Sequence, residues 1–312
     1  MQTTPHPHLA TGLLFASLGS IAFSGKAIIV KLAYRHGVDA VTLIMYRMLF
    51  ALPLFLALVW WAGRPRNGVR PAPLTQRDWV GVIGLGVTGY YLASFLDFWG
   101  LEYITASLER LILYLNPTIV LVLGWLLYGR RITRLQAVAM AVSYAGVLLV
   151  FGHEAGQQGP DAALGAALVF GSAISYAIYL VYSGELVKRL GSLRLVGLAT
   201  SVACVLCIAQ FALLRPLSSA VVAPEVIWLS LLNASLCTFV PVLLVMMAIE
   251  RIGSGLTAQT GMIGPMSTIV MGVFILGEPF NAWIIVGTVL VLAGVYLVTR
   301  FGAPRVIEKT GD

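Results

Sequence analysis

A chain of 312 residues that is 59% hydrophobic and only 11% charged has too few polar side chains to cover a water-facing surface; soluble domains carry about 25% charged residues. A bilayer core removes that difficulty, because each spanning helix takes roughly 20 apolar residues. The net charge of +7 would suit a nucleic acid, but the basic residues are segregated among loops as a membrane orientation requires, so no nucleic-acid partner is expected.

Apolar runs set against polar breaks predict ten spans, near 9–33, 40–61, 79–100, 104–128, 132–152, 162–184, 194–214, 226–248, 255–276 and 282–300. No Lys or Arg precedes the first run, so it lacks the charged start of a signal peptide and is kept as a span. The longest connection, "AGRPRNGVRPAPLTQRD", is Pro- and Arg-rich and reads as an irregular loop. If the N-terminus is cytoplasmic, the inside loops and tail gather Arg64, Arg66, Arg70, Arg130, Arg131, Lys188, Arg189, Arg251 and Arg305. The outside loops hold only Arg35 and Arg215, with Lys31 at the margin. That is a positive-inside bias, and it predicts a multi-pass protein of the cell membrane with both termini cytoplasmic.

Two motifs are set aside. "GLGVTG" (Gly84–Gly89) has the spacing of a dinucleotide fingerprint, but that fingerprint needs a preceding strand, and here it lies inside a span where small residues allow close helix packing. Cys204, Cys207 and Cys237 all fall in apolar segments and read as packing residues. No spanning His, metal-ligand cluster or catalytic pairing is read, so no enzyme activity, cofactor or metal is expected.

The chain also resembles itself. Shifted by 148 residues, 101–150 aligns without a gap on 249–298, pairing Glu102 with Glu250, Pro117 with Pro265, Gly124 with Gly272, Gly129 with Gly277 and Gly146 with Gly294. Each half then holds five spans, 1–152 and 153–312. Five is odd, so the second half crosses the membrane inverted relative to the first. The fold class expected is an all-α integral membrane protein of ten helices in two inverted five-helix repeats, an arrangement of secondary transporters with a substrate site between the halves. Pro117 and Pro265 fall at matching mid-span points and are candidate helix breaks or hinges whose freed carbonyls would line a cavity.

"FSGKAIIVKLA" with Lys31, "MYRMLFAL" with Arg47, "ISYAIYLVYSGELVKR" and "ERIGSGLTAQTGMIGPMSTIVMGVFILGEPF" resemble the first, second, sixth and ninth spans of the EamA-type branch of the drug/metabolite transporter superfamily. The resemblance covers nearly the whole chain. It implies transport of a small molecule, commonly export of an amino acid or similar metabolite, through a central cavity. The partners implied are that substrate and the lipid bilayer, with a homodimer as an admissible assembly. The chain departs from the family at Gly129-Arg130, where the first repeat usually ends in Gly-Glu; only Gly277-Glu278 keeps that pattern. Lys26, Glu109 and Arg110 also stand where small or neutral residues are usual.

Charges inside spans are costly and are functional suspects by default. Lys26, Arg47, Asp97, Glu109 and Arg110 are therefore the leading candidates for a substrate or proton site, with Asn116, Tyr179 and Gln259 added as polar members. On a continuous fourth span, Thr105, Glu109 and Asn116 would fall within roughly 40° of one another, and Leu108, Leu111, Ile112 and Leu115 would face lipid. Glu109 and Arg110 point about 100° apart and cannot pair well with each other. Their partners are sought among Lys26, Arg47 and Asp97. Three cations against two anions would suit a substrate with an anionic group.

Overall fold

Side-chain caps set helix starts at Asp39, Thr75, Thr105 and Thr133. The computed structural model describes residues 7–65, 73–129 and 131–302; inside its helices the side chains at 7, 8, 156–158, 253–255, 258, 259 and 299–302 lie outside the described set. The chain opens with α1 (Pro7–Tyr34) and turns at Gly37 into α2 (Ala40–Ala62), whose N-cap Asp39 accepts the Val41 and Thr42 amides. The third crossing is α3 (Gln76–Gly86), a π-helical stretch at Val87–Leu92, and α4 (Ala93–Gly100). It starts from a reciprocal cap between Thr75 and Asp78. The fourth is two half-helices, α5 (Ala106–Leu113) and α6 (Asn116–Tyr128), and it stops at Gly129, whose φ of 63° favours glycine. Then come α7 (Arg134–Gln158), α8 (Ala162–Leu190) and α9 (Ser192–Leu214). The eighth crossing joins α10 (Pro224–Ala234), a π-helical stretch at Ser235–Phe239, and α11 (Val240–Thr260). The ninth is α12 (Ile263–Met271) with a π-helical end at Gly272–Leu276, stopped by Gly277 at φ 72°; α13 (Ala282–Gly302) is the tenth. Among the described residues there is no strand.

Eight of these helices are long and apolar enough to cross a membrane, and Ile263–Leu276 and Ala282–Val298 are shorter apolar helices. The result is a ten-helix, all-α integral membrane protein. An even number of crossings puts both described ends on one side, called here the terminal side; the opposite is the far side.

Packing between the halves is reciprocal. The first crossing, α1, lies against α11 and α12 of the eighth and ninth, and the sixth, α8, lies against α4 and α6 of the third and fourth. The second packs on the seventh (α2 with α9) and the fifth on the tenth (α7 with α13). Small residues make these approaches close. A Cβ on Gly294 would lie 2.4 Å from the Ala139 carbonyl, one on Gly146 2.7 Å from the Gly287 carbonyl, and one on Gly12 2.3 Å from Ile252 Cγ2. Lipid tails are as apolar as Leu, so close van der Waals packing of this kind holds spanning helices together.

Four expectations change. The fourth crossing is not continuous, so Thr105, Glu109 and Asn116 do not form one stripe. Leu108, Leu111, Ile112 and Leu115 are core residues rather than a lipid-facing arc, because α5 is enclosed by α1, α7, α8, α12 and α13. The fifth helix runs on to Gln158, bringing His153 and Glu154 into helix, with the His153 ring stacked 5.8 Å from that of Trp283. Helix also continues through 249–254, where the sequence predicted a connection.

Candidate functional site: a charged cavity between the halves

The break in the fourth crossing meets the start of the ninth, between α11 and α12, at the centre of the molecule. Pro117 and Pro265 stand in the first turn of α6 and α12, where a missing amide hydrogen costs little. Each leaves the carbonyl four residues earlier without its helical donor. Asn116 Nδ2 donates to one of these carbonyls, Leu113, at 2.8 Å. The Tyr114 hydroxyl donates to the other, Gly261, and so ties the break in the first half to the break in the second. Ser24 links the same region, donating to the Gly264 carbonyl at 2.9 Å and accepting from Arg110 Nη2 at 2.6 Å.

Beside these breaks lies a cavity of about 500 Å3. Lys26, Arg47, Asp97, Arg110, Asn116 and Tyr179 all line it, drawn from α1, α2, α4, α5, α6 and α8. Glu109 is fully buried behind that wall. Gln259 lies outside the described side chains. The charged end of the cavity is toward the far side, since Asp97 stands only three residues from the end of α4 and Lys26 is in the far-side third of α1. The rest of the wall is mostly aromatic and apolar, with Ser20, Ser94, Ser172, Ser183 and Thr238 set among it. The Tyr90 and Tyr179 rings meet edge to face at 5.1 Å, and the Tyr176 ring stacks on Tyr179 at 5.5 Å. Gly89 admits this cluster, for a Cβ there would lie 2.5 Å from the Tyr179 ring.

The charges pair in a way that adjacency in sequence could not reveal. Lys26 Nζ lies 2.5 Å from Asp97 Oδ2 and 3.5 Å from Glu109 Oε1. Arg110 turns away from Glu109 to Ser24, over the Phe23 and Tyr114 rings at 5.3 and 5.9 Å. Arg47 Nε donates to Thr238 Oγ1 at 3.2 Å, and its guanidinium sits 5.1 Å from the centre of the Phe98 ring. Both arginines are buried, neither makes an ion pair within 4.0 Å, and Arg47 Nη1 and Arg110 Nε have no hydrogen-bond partner among the described residues. Cation–π contacts stabilise a desolvated guanidinium by about 2 kcal/mol. They leave its outward N–H groups able to take an anion.

A second pocket, about 670 Å3, opens at the far side. There the halves close on each other through helix ends. Glu278, after α12, accepts the Ala106 amide at 2.7 Å, the Ser107 amide at 3.2 Å and the Ser107 hydroxyl at 2.6 Å, capping α5. Thr105 Oγ1 accepts the Leu108 amide at 3.0 Å and donates to Glu154 at 2.8 Å. Lys31 Nζ donates to the Leu101 and Ile104 carbonyls at 3.1 and 3.0 Å. In the loops, burial alone would raise the Asp39 carboxyl. The Thr42 hydroxyl and the Arg215 guanidinium outweigh it and hold Asp39 below the usual carboxylate range. Burial pushes the Glu102 carboxyl up, against the Ala40 amide that donates to it at 2.8 Å.

Sequence reasoning did not find Ser24, Tyr114, Thr238 or Glu154, and named Glu278 only as the retained Gly-Glu ending of the second repeat, not as a helix cap. The π-helical stretches at Val87–Leu92 and Ser235–Phe239 start 148 residues apart, the same shift that aligns 101–150 with 249–298, although the sequence repeat itself does not reach them. Such widened turns are frequent at functional sites, and these carry Gly89, Tyr90 and Thr238 to the cavity.

Comparisons with known proteins agree with this architecture. An uncharacterized transporter of Bacillus subtilis, YcbK, is 30% identical over 285 residues, covering 89% of each chain. An uncharacterized transporter of Archaeoglobus fulgidus is 24% identical over 92% of this chain and 96% of its own. A solved crystal structure superposes with a TM-score of 0.62 at 16% identity, across 93% of this chain and 97% of that one, a likeness of fold alone. The profile of the EamA-like transporter family matches twice, over residues 10–152 and 163–300. The chain is a multi-pass membrane transporter rather than an enzyme, and it belongs to the EamA-like transporter family of the drug/metabolite transporter superfamily.

Proposed function

We propose that the protein is a secondary transporter that exports an amino acid or similar small metabolite by alternating access, with the halves 1–152 and 153–312 rocking about the central cavity. Its membrane is the cell membrane, with both termini cytoplasmic. The reading rests on one observation above all: two buried guanidiniums, Arg47 and Arg110, line the cavity with no carboxylate in ion-pair contact among the described residues. Within a span, a cation without an acidic partner suits a solute that brings its own anionic group. Asn116 and Tyr179 stand on the same wall as polar contacts for the rest of the solute. The seal at the far side, made by Glu278 and Thr105, corresponds to a conformer closed on that side.

Flux of labelled amino acids into proteoliposomes tests this reading. Hydrogen bonds to charged groups contribute about 1.5–3 kcal/mol, and each 1.4 kcal/mol is tenfold in affinity. Arg110→Gln should therefore raise the half-saturating concentration of a carboxylate-bearing solute by about 10- to 100-fold. The corresponding amide, which has no charge to lose, should be affected far less. Equal effects on acid and amide would remove the anion-binding role.

A further inference from the structure

We propose that Asp97 and Glu109 form a proton-binding pair, the coupling site of the transporter, with Lys26 as its fixed internal cation. The proposal rests on the transport reading above and names its driving ion. One ammonium serves two carboxylates, Asp97 Oδ2 at 2.5 Å and Glu109 Oε1 at 3.5 Å. Glu109 is wholly buried, and neither of its oxygens, nor Asp97 Oδ1, has a hydrogen-bond partner among the described residues. The triad carries one negative charge too many for a buried site, and a single proton makes it neutral.

Apart from Lys26, no neighbouring cation lies within 4.0 Å of either acid among the described residues. Lys26 comes from α1 and Asp97 from α4. Arg110, on the same helix as Glu109, is committed to Ser24 and two rings, and Arg47 of α2 to Thr238 and the Phe98 ring. Glu154 of α7 and Glu278 after α12 sit at the N-terminal end of α5, where Lys31 of α1 is the cation that faces them. α12 carries no charged residue, α13 carries only Arg300 near its C-terminal end, and the charged residues of α8 are all at its C-terminal end. A metal cation would lie against the Lys26 ammonium, which already occupies the space between the two acids. A proton becomes part of a carboxyl group and leaves no free cation to be repelled.

The pair also lies between the two water-facing pockets. Asp97 lines the central cavity, and Glu109 stands behind it. One helical turn further along α5, the Thr105 hydroxyl donates to Glu154, and Thr105 borders the far-side pocket. A proton enters past Thr105 when the far side is open, adds at a Glu109 oxygen, passes to Asp97, and leaves through the central cavity when the terminal side opens, opposite in direction to the exported solute. Only O–H bonds form and break, and the net charge moved is that of the proton.

Infrared spectroscopy of the purified native protein reads the proton directly, without any solute. At neutral pH it should show the C=O band of a buried protonated carboxyl, and Glu109→Gln should lose that band. The amide imitates the neutral acid, so the variant should melt with the native protein. In proteoliposomes, a radiolabelled amino-acid mixture should accumulate under an imposed pH gradient and not under a sodium gradient. In Glu109→Gln the accumulation driven by the pH gradient should fall at least tenfold. Absence of the band in the native protein, accumulation in Glu109→Gln equal to native, or accumulation driven by sodium would each overturn the proposal. If Glu109→Gln does not fold, titration of the native band decides: a band that never appears above the acid range overturns it. If the native protein moves none of the solutes, the transport reading fails, while the infrared band still decides the proton site.

Discussion

Asp39 shows how one residue joins local and long-range structure. It caps α2 through the Val41 and Thr42 amides, and across the far-side loops it meets Arg215 Nη2 at 2.9 Å. The pair is partly exposed, and such ion pairs contribute about 0–1 kcal/mol. Loss of an N-cap costs about 1 kcal/mol, so the cap is the larger share. Asp39→Ala should therefore be destabilised by about 1 kcal/mol at neutral pH. The Asp39 carboxyl is held below its usual range, so its stabilisation is present above the unfolded value of about 3.9 and is lost as pH falls through the folded value. Thermal melts of native and Asp39→Ala protein should converge as the pH drops below about 4. A gap that stays constant into that acid range would separate the cap from the charge.

At the scale of elements, the half-helix α5 owes its position to the other half of the chain. An eight-residue helix is too short to be stable by itself, and its first amides are held by Glu278 from beyond α12. Gly272 makes room for that carboxylate: a Cβ there would stand 2.7 Å from Glu278 Oε2. A negative charge at a helix N-terminus also meets the favourable end of the helix dipole. Glu278→Ala should cost about 1–2 kcal/mol by the capping scale. It should also raise hydrogen exchange at the Ala106, Ser107 and Leu108 amides well above that of α6. Unchanged exchange would mean that α5 is held by packing alone.

For the whole molecule, orientation is the first quantity to measure. The described far-side loop between α9 and α10 and the terminal-side loop after α2 both expose residues suited to labelling. With Cys204, Cys207 and Cys237 replaced, Arg64→Cys should react with an impermeant thiol reagent only from the cytoplasm, and Ser218→Cys only from outside. Labelling of both from one side would contradict an inverted second half.

Composition and short-range pattern determined a good deal by themselves. Hydropathy depends only on which residues are neighbours in sequence, so ten spans, the membrane class and the stops at Gly129 and Gly277 were legible without a fold. The repeat and the list of charges inside spans were legible for the same reason. The partners of those charges were not, because Lys26, Asp97 and Glu109 come from three helices and meet only when the helices pack. Arg110 is the plainest case: its neighbour Glu109 is one residue away, yet it reaches Ser24 instead. Pro117 marked a candidate break, but that it splits the fourth crossing into two half-helices at Tyr114–Leu115 was not legible, since a proline alone is compatible with a kink, a straight span or a new helix start. Burial of Leu108, Leu111, Ile112 and Leu115 also came from tertiary structure. An apolar arc looks the same in sequence whether it faces lipid or protein, and only the ring of helices around α5 decided that it faces protein.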